Sequence, residues 1–200
     1  MLFTKILGIV LVVTSFSLIS VCLFRKNEAY FNLREVVQKH FALFKNSKSQ
    51  YFIFYILPLL FSVGLALLYT ATEEFLTESS VVLGIILSVL LTILSILSSY
   101  DFSNVKNQAQ CARVNSVVTD TINSITFNTL LCIALMLYNM VLVVLNEGDY
   151  SWVPFDITLI KVIMSGIAYY LFSVICLTLL LIVKQMCKII QFNLTVKKES

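Results

Sequence analysis

Apolar residues run almost unbroken through five stretches of this chain, about 5–24, 51–70, 79–99, 125–145 and 157–183. Each is close to 20 residues or longer, and at a rise of about 1.5 Å per residue that is enough to cross a hydrocarbon layer of about 30 Å. Backbone polar groups in lipid must be satisfied within the segment, so each stretch predicts a helix. The first stretch is longer than the apolar core of a secretory signal and lacks a small-x-small cleavage site. Arg25 and Lys26 directly behind it read as a stop-transfer flank, so a retained first helix is expected.

Two further segments have helical periodicity but too much polarity for lipid. Over about 32–46, Leu33, Val36, Val37, His40, Phe41 and Phe44 share one face, with Arg34, Glu35, Gln38, Lys39 and Lys45 on the other. Asn32 followed by Glu35 has the form of a capping box. This amphipathic basic helix suits the membrane surface or a partner protein. Over about 104–124, the spacing of Val114, Val118, Ile122 and Ile125 predicts a helical extension of the fourth span, with Asp101 or Ser103 as a candidate cap.

The charges between the spans are sorted by sign. Twelve of the 14 Lys and Arg residues fall in three segments, which hold Arg25 to Lys48, Lys106 with Arg113, and Lys184 to Lys198. The two other connections carry Glu73, Glu74 and Glu78, then Glu147, Asp149 and Asp156, with no Lys or Arg. Since cytoplasmic loops retain positive charge, the alternation predicts an outer N-terminus and a cytoplasmic C-terminus. At 59% hydrophobic and 12% charged, 200 residues cannot cover so much apolar surface around one aqueous core. The expected class is an all-α, polytopic integral membrane protein, in which the lipid bilayer is the first partner.

Within the spans, polar residues fall into patterns. Ser80, Gly84, Ser88, Thr92 and Ser95 recur every three or four residues on one face of the third span. Small residues let a second backbone approach closely, so this face is a candidate for helix packing or self-association; the other reading is a hydroxyl-lined pore. Asn128 and Asn139, with Cys132 and Asn146, fall near one face of the fourth span. Amides in an apolar helix are costly unless partnered, so they should face protein or water. The hydroxyls of Tyr51 and Tyr69 suit the two headgroup boundaries, and Pro58 should perturb the second span because it lacks an N–H. Five separated cysteines, Cys22, Cys111, Cys132, Cys176 and Cys187, are expected as buried free thiols.

The missing chemistry narrows the function. Residues 51–72, 79–100 and 121–146 contain no Asp, Glu, Lys, Arg or His, the groups that proton-coupled carriers and intramembrane acid–base enzymes place at depth. No HExxH, GxSxG, Walker A or Cys/His metal pattern occurs, and His40 is the only histidine. No catalytic residue, cofactor or metal is expected, nor direct nucleic-acid binding. What remains is a membrane scaffold or sensor, or an oligomeric channel that depolarises the membrane. For the first, Arg34, Lys39, Lys45, Lys106 and Arg113 are the candidate edge of a docking surface for a cytosolic protein.

On the basic side, Phe31, Asn32, Leu33 and Arg34 precede a span in which Phe54, Tyr55, Ile56, Leu57, Pro58, Leu59 and Leu60 lead to Gly64, Leu65 and Ala66. In these residues, roughly 31–70, and in its layout as a small multispan protein rich in Ile, Leu and Phe, the chain resembles the membrane subunit of the Kiwa anti-phage defence system. That family spans the membrane four times, against the five stretches counted here. The resemblance implies a homo-oligomer in the bacterial inner membrane that senses infection and recruits a cytosolic DNA-binding subunit, with no catalytic residue of its own.

The orientation is directly testable. A reporter fused after Ser200 should be active only in its cytoplasmic form, and one inserted beside Glu74 only in its periplasmic form. The reverse activity at either site would overturn the charge-based topology.

Overall fold

The computed structural model describes residues 8, 14, 33–44, 48–99, 108–147 and 157–199. These residues are helical apart from short turns, and no strand occurs among them. The first predicted span, at 5–24, lies outside the described residues except for Gly8 and Thr14. Asn32, Lys45, Asp101, Ser103, Lys106 and the loop with Asp149 and Asp156 also lie outside them. The chain divides into two units, 1–42 and 43–200.

In the first unit, α1 is Leu33–Ala42. Its exposed Lys39 pairs with exposed Glu35 one turn back at 2.7 Å, a surface contact worth about 0.3–0.5 kcal/mol. His40 is fully buried, and burial holds its imidazole down to about 4, so it is neutral at physiological pH.

The second unit holds four helices long and apolar enough to cross a membrane. The first of them, α2, runs through Lys48–Tyr51, a π-helical turn at Phe52–Ile56, and Leu57–Leu68. Pro58 explains the wide turn. Its ring has no N–H and crowds the carbonyl four residues back, and the wider winding accommodates this by letting the Leu57 N–H donate to the Phe52 carbonyl, five residues back. Next come α3 (Glu73–Ser98), α4 (Gln108–Glu147) and α5 (Ile157–Glu199).

The acidic residues after α2 do not sit in a loop as expected. The turn is only Tyr69 to Thr72, and Glu73, Glu74 and Glu78 are already helical. Thr72 caps α3 by accepting from the Phe75 N–H at 3.2 Å, and carboxylates in the first turn favour the positive end of the helix dipole. These two effects start the helix six residues before the apolar stretch.

The helices form an open row rather than a closed bundle. α3 packs on α4, α4 on α5, and α5 on α2; among the described residues α2 and α3 do not pack on each other. The seams are built on a seven-residue period. Leu76, Leu83, Leu90 and Leu97 of α3 are buried, as are Val118, Ile125, Cys132 and Asn139 of α4. Val114, Thr121, Asn128, Leu135 and Leu142 form a second buried heptad row on α4. On α5 the row is Ala168, Ile175, Ile182 and Ile189. Only a left-handed wrap keeps a strict heptad stripe in one seam, as in a coiled coil. The α2–α5 contact uses small residues instead: Ser62 and Ala66 of α2 are buried, and Gly166 of α5 lies against Ala66.

α4 and α5 outlast the bilayer. With 40 and 43 residues they are about 60 and 65 Å long, twice a hydrocarbon core of about 30 Å. Asn139 contacts Ser79, so Ser98 at the end of α3 stands level with about residue 120 of α4 (139 − 19). Asn128 contacts Ile175, so the same level on α5 is about residue 183 (175 + 8). Beyond it α4 extends for 12 residues and α5 for 16, about 18 and 24 Å, on the same side. Val114 and Ile189 remain buried there in the same core, so the two helices stay paired past the end of α3.

Among the described glycines, Gly166 at the α2–α5 crossing alone has a neighbouring helix within contact of a Cβ position. A Cβ built on Gly166 would lie 3.3 Å from the Ala66 Cβ. Gly166→Leu should therefore force the helices apart and lower stability by about 1–3 kcal/mol, measured as loss of thermal stability in mild detergent. Gly166→Ala should cost less, and adding Ala66→Gly should recover most of that loss. An unchanged melting temperature for Gly166→Leu would show that the crossing is not close packed.

Candidate functional site

The polar groups of the second unit gather along α4. At one end, Ala71 in the α2–α3 turn is buried and held from two sides. Its N–H donates to Ser165 Oγ on α5 at 2.9 Å, and its carbonyl accepts from Asn146 Nδ2 on α4 at 3.1 Å. The backbone of one residue thus ties the turn to both long helices. Two turns along α4, Asn139 Nδ2 approaches Ser79 Oγ at 2.9 Å, Ser80 Oγ at 3.2 Å and the Leu76 carbonyl at 3.4 Å. Tyr138 adds a bond from its hydroxyl to the Met164 carbonyl at 3.0 Å, and Phe75 lies against Tyr169 and Phe172. Deeper, Asn128 Nδ2 reaches the Ile175 carbonyl at 3.4 Å.

Both predicted intramembrane amides are therefore turned into the seams within the chain, at 0% and 2% exposure for Asn128 and Asn139. The small-residue stripe of α3 divides. Ser80 is half-buried and joins the Asn139 cluster, while Ser88, Thr92 and Ser95 are exposed. Ser88 and Thr92 donate to their own helix, to the Gly84 and Ser88 carbonyls at 3.0 and 2.8 Å. A Cβ on Gly84 would meet nothing within 4 Å. Gly84, Ser88 and Thr92 thus offer a smooth face whose two hydroxyls donate within their own helix, while Asn128 and Asn139 lie on another helix. Ser88 and Thr92 do not share a surface with the two amides.

Of the predicted docking residues, Arg34 and Lys39 are exposed on α1, and Arg113 lies on the α4 extension. Lys45 and Lys106 lie outside the described residues. On the α5 extension Lys184 and Lys188 are exposed. The cysteines differ from expectation: Cys132 is buried, but Cys176 and Cys187 are free and exposed on α5. Among the described residues no group of His, Cys, Asp or Glu is arranged to hold a metal.

Ser79, Ala71, Ser165 and Asn146 were not singled out in the sequence as partners of one another. The available signal was the seven-residue spacing of Val118, Ile125, Cys132, Asn139 and Asn146, which marks one seam of α4. No spacing marks Ala71, because its contribution comes from its backbone.

If the Asn139 cluster holds α3 against α4, a double-mutant cycle of Asn139→Ala with Ser79→Ala should give a coupling energy of about 0.6–1.7 kcal/mol. Asn115→Ala, at an exposed α4 position, should be neutral. Additive effects of the first pair would remove the bond as a determinant of packing.

No protein-family model, curated protein or solved structure matches the chain.

Proposed function

We propose that this chain is a non-enzymatic membrane scaffold or sensor that self-associates and presents helices on the cytoplasmic face to a cytosolic protein partner. The observation that carries the reading is the length of α4 and α5. A span needs about 20 residues, yet these helices continue beyond the end of α3 as a pair, in a region that carries Arg113, Lys184 and Lys188. Such a projection contributes nothing to crossing the bilayer and suits attachment of another protein. Its basic residues would steer an acidic partner in a salt-dependent way.

In this reading the chain lies in the bacterial inner membrane with its C-terminus inside, and 5–24 is a fifth span. The sorted loop charges support that orientation. Self-association uses the face formed by half-buried Gly84 and exposed Ser88 and Thr92, where a second backbone can come close without leaving either hydroxyl unpaired. The setting is anti-phage defence, with a DNA-binding subunit as the partner; the support for this part is the resemblance over residues 31–70.

Two sets of variants separate the roles, using the full chain purified from native membranes in mild detergent. Gly84→Leu should lower the mass of the complex while insertion continues. Arg34→Glu, Lys39→Glu and Lys45→Glu together should release the cosedimenting cytosolic protein, leave the complex mass unchanged and abolish biological activity. Retention of that protein with full activity, and loss only of binding to anionic liposomes, would reduce the basic helix to a lipid anchor.

A further inference from the structure

The side of α5 that meets α2 changes character where α2 begins. Gly166 lies against Ala66, and Tyr170, Val174 and Leu181 pack in the cluster of Tyr55 and Phe44. These positions follow one another by four or seven residues, so they share one side of the helix. The same spacing carries that side on to Lys184 and Lys188, both exposed.

Register fixes the depth of the two lysines. The Gly166–Ala66 contact pairs positions of α5 and α2 whose numbers sum to 232. Lys184 is then level with residue 48, where α2 starts, and Lys188 with residue 44. By the separate contacts of α3 with α4 and of α4 with α5, the end of α3 stands level with about residue 183. Both registers therefore place Lys184 at the edge of the hydrocarbon. Lys188 lies about 6 Å farther out, within a headgroup layer of about 5–7 Å.

No carboxylate of these two helices neutralises the charge, since residues 43–68 and 157–198 contain no Asp or Glu. Neither lysine forms an ion pair among the described residues, with Asp120 of α4 or with any other group. Exposed Tyr51 of α2, level with residue 181, carries a hydroxyl at the same depth. Leu180, one turn from Lys184 towards the membrane centre, is exposed and apolar. We propose that the α2–α5 edge at Lys184 and Lys188 binds an anionic phospholipid of the leaflet from which α4 and α5 project. Its phosphate sits between the two ammonium groups, which are compact charges with three donors each, and an acyl chain runs along Leu180. Basic sites between membrane helices collect anionic headgroups in this way. Depth favours lipid over a cytosolic protein here, whereas Arg113, level with residue 190, stands beyond the headgroups. The inference requires neither self-association nor a protein partner, so it stands apart from the scaffold reading.

The test is native mass spectrometry of the full chain in mild detergent, titrated with phosphatidylglycerol or with phosphatidylcholine of the same acyl chains. The wild-type chain should bind phosphatidylglycerol more tightly. Lys184→Gln with Lys188→Gln should weaken that binding by about five-fold per lysine and leave phosphatidylcholine unaffected. Lys161→Gln, at the other end of α5, should keep the preference. Equal binding of the two lipids by the wild type would overturn the proposal. So would a double variant that keeps the preference, whether or not it loses a cosedimenting cytosolic protein. If the double variant does not accumulate, NMR of the wild-type chain with isotopically methylated lysines decides. Phosphatidylglycerol should move the Lys184 and Lys188 signals, and shifts no larger than that of Lys161 would sink the site.

Discussion

Every polar group that enters a bilayer must find its partner inside the protein, and in this molecule that requirement organises the helices. Between apolar helices in lipid there is little hydrophobic drive, because the tails are as apolar as leucine. The leucine row of α3 can fit against α4 by dispersion and shape alone, with each contact individually weak. The Asn139 amide, placed among Ser79, Ser80 and the Leu76 carbonyl, adds direction to that fit. The Asn146–Ala71–Ser165 chain does the same for the turn, α4 and α5. A polar residue at a core position of a heptad selects register at some cost in stability, and these amides occupy such positions.

The same seam serves two solvents. Within lipid the heptad rows meet through packing and hydrogen bonds. Beyond the end of α3 the rows continue as Val114, Val118 and Ile189, where water supplies the hydrophobic drive that lipid does not. One unbroken pair of helices can therefore hold together across the boundary and project from the membrane. The open row leaves α2 and α3 at its edges, each with a lipid-facing side. The exposed Leu60, Leu67 and Leu68 of α2 are normal there, whereas Gly84 on α3 leaves room for a close neighbour.

Polar residues that look alike in the sequence thus have different roles in the fold. Asn128 and Asn139 both lie in apolar surroundings on α4. One is tied to serines of the neighbouring helix, while the other has a single long contact to the Ile175 carbonyl. Ser80 and Ser88 share a stripe, yet one meets Asn139 and the other faces outward. What separates them is rotation about the helix axis: residues that drift from the heptad by a few positions leave the seam.

The sequence by itself determined the helical class, the four described membrane helices and the absence of ionisable groups through most of their depth, because length and hydropathy in lipid admit few alternatives. The continuous helical period from Val114 to Ile125 made the long α4 legible, and the late lysines of α5 showed that it carries charge at its end. The start of α3 was misplaced because hydropathy marks where lipid begins, while the Thr72 cap marks where the helix begins. The π-turn before Pro58 was legible only as a disturbance, since proline says which bond is lost and not how the chain compensates. Only the tertiary structure decided which neighbour each polar side chain meets, the grip of α4 and α5 on the Ala71 backbone, and the closeness of Gly166 to Ala66. Those contacts join residues 26 to 100 positions apart, and they depend on the order and register in which the helices pack, which no local pattern in the chain encodes.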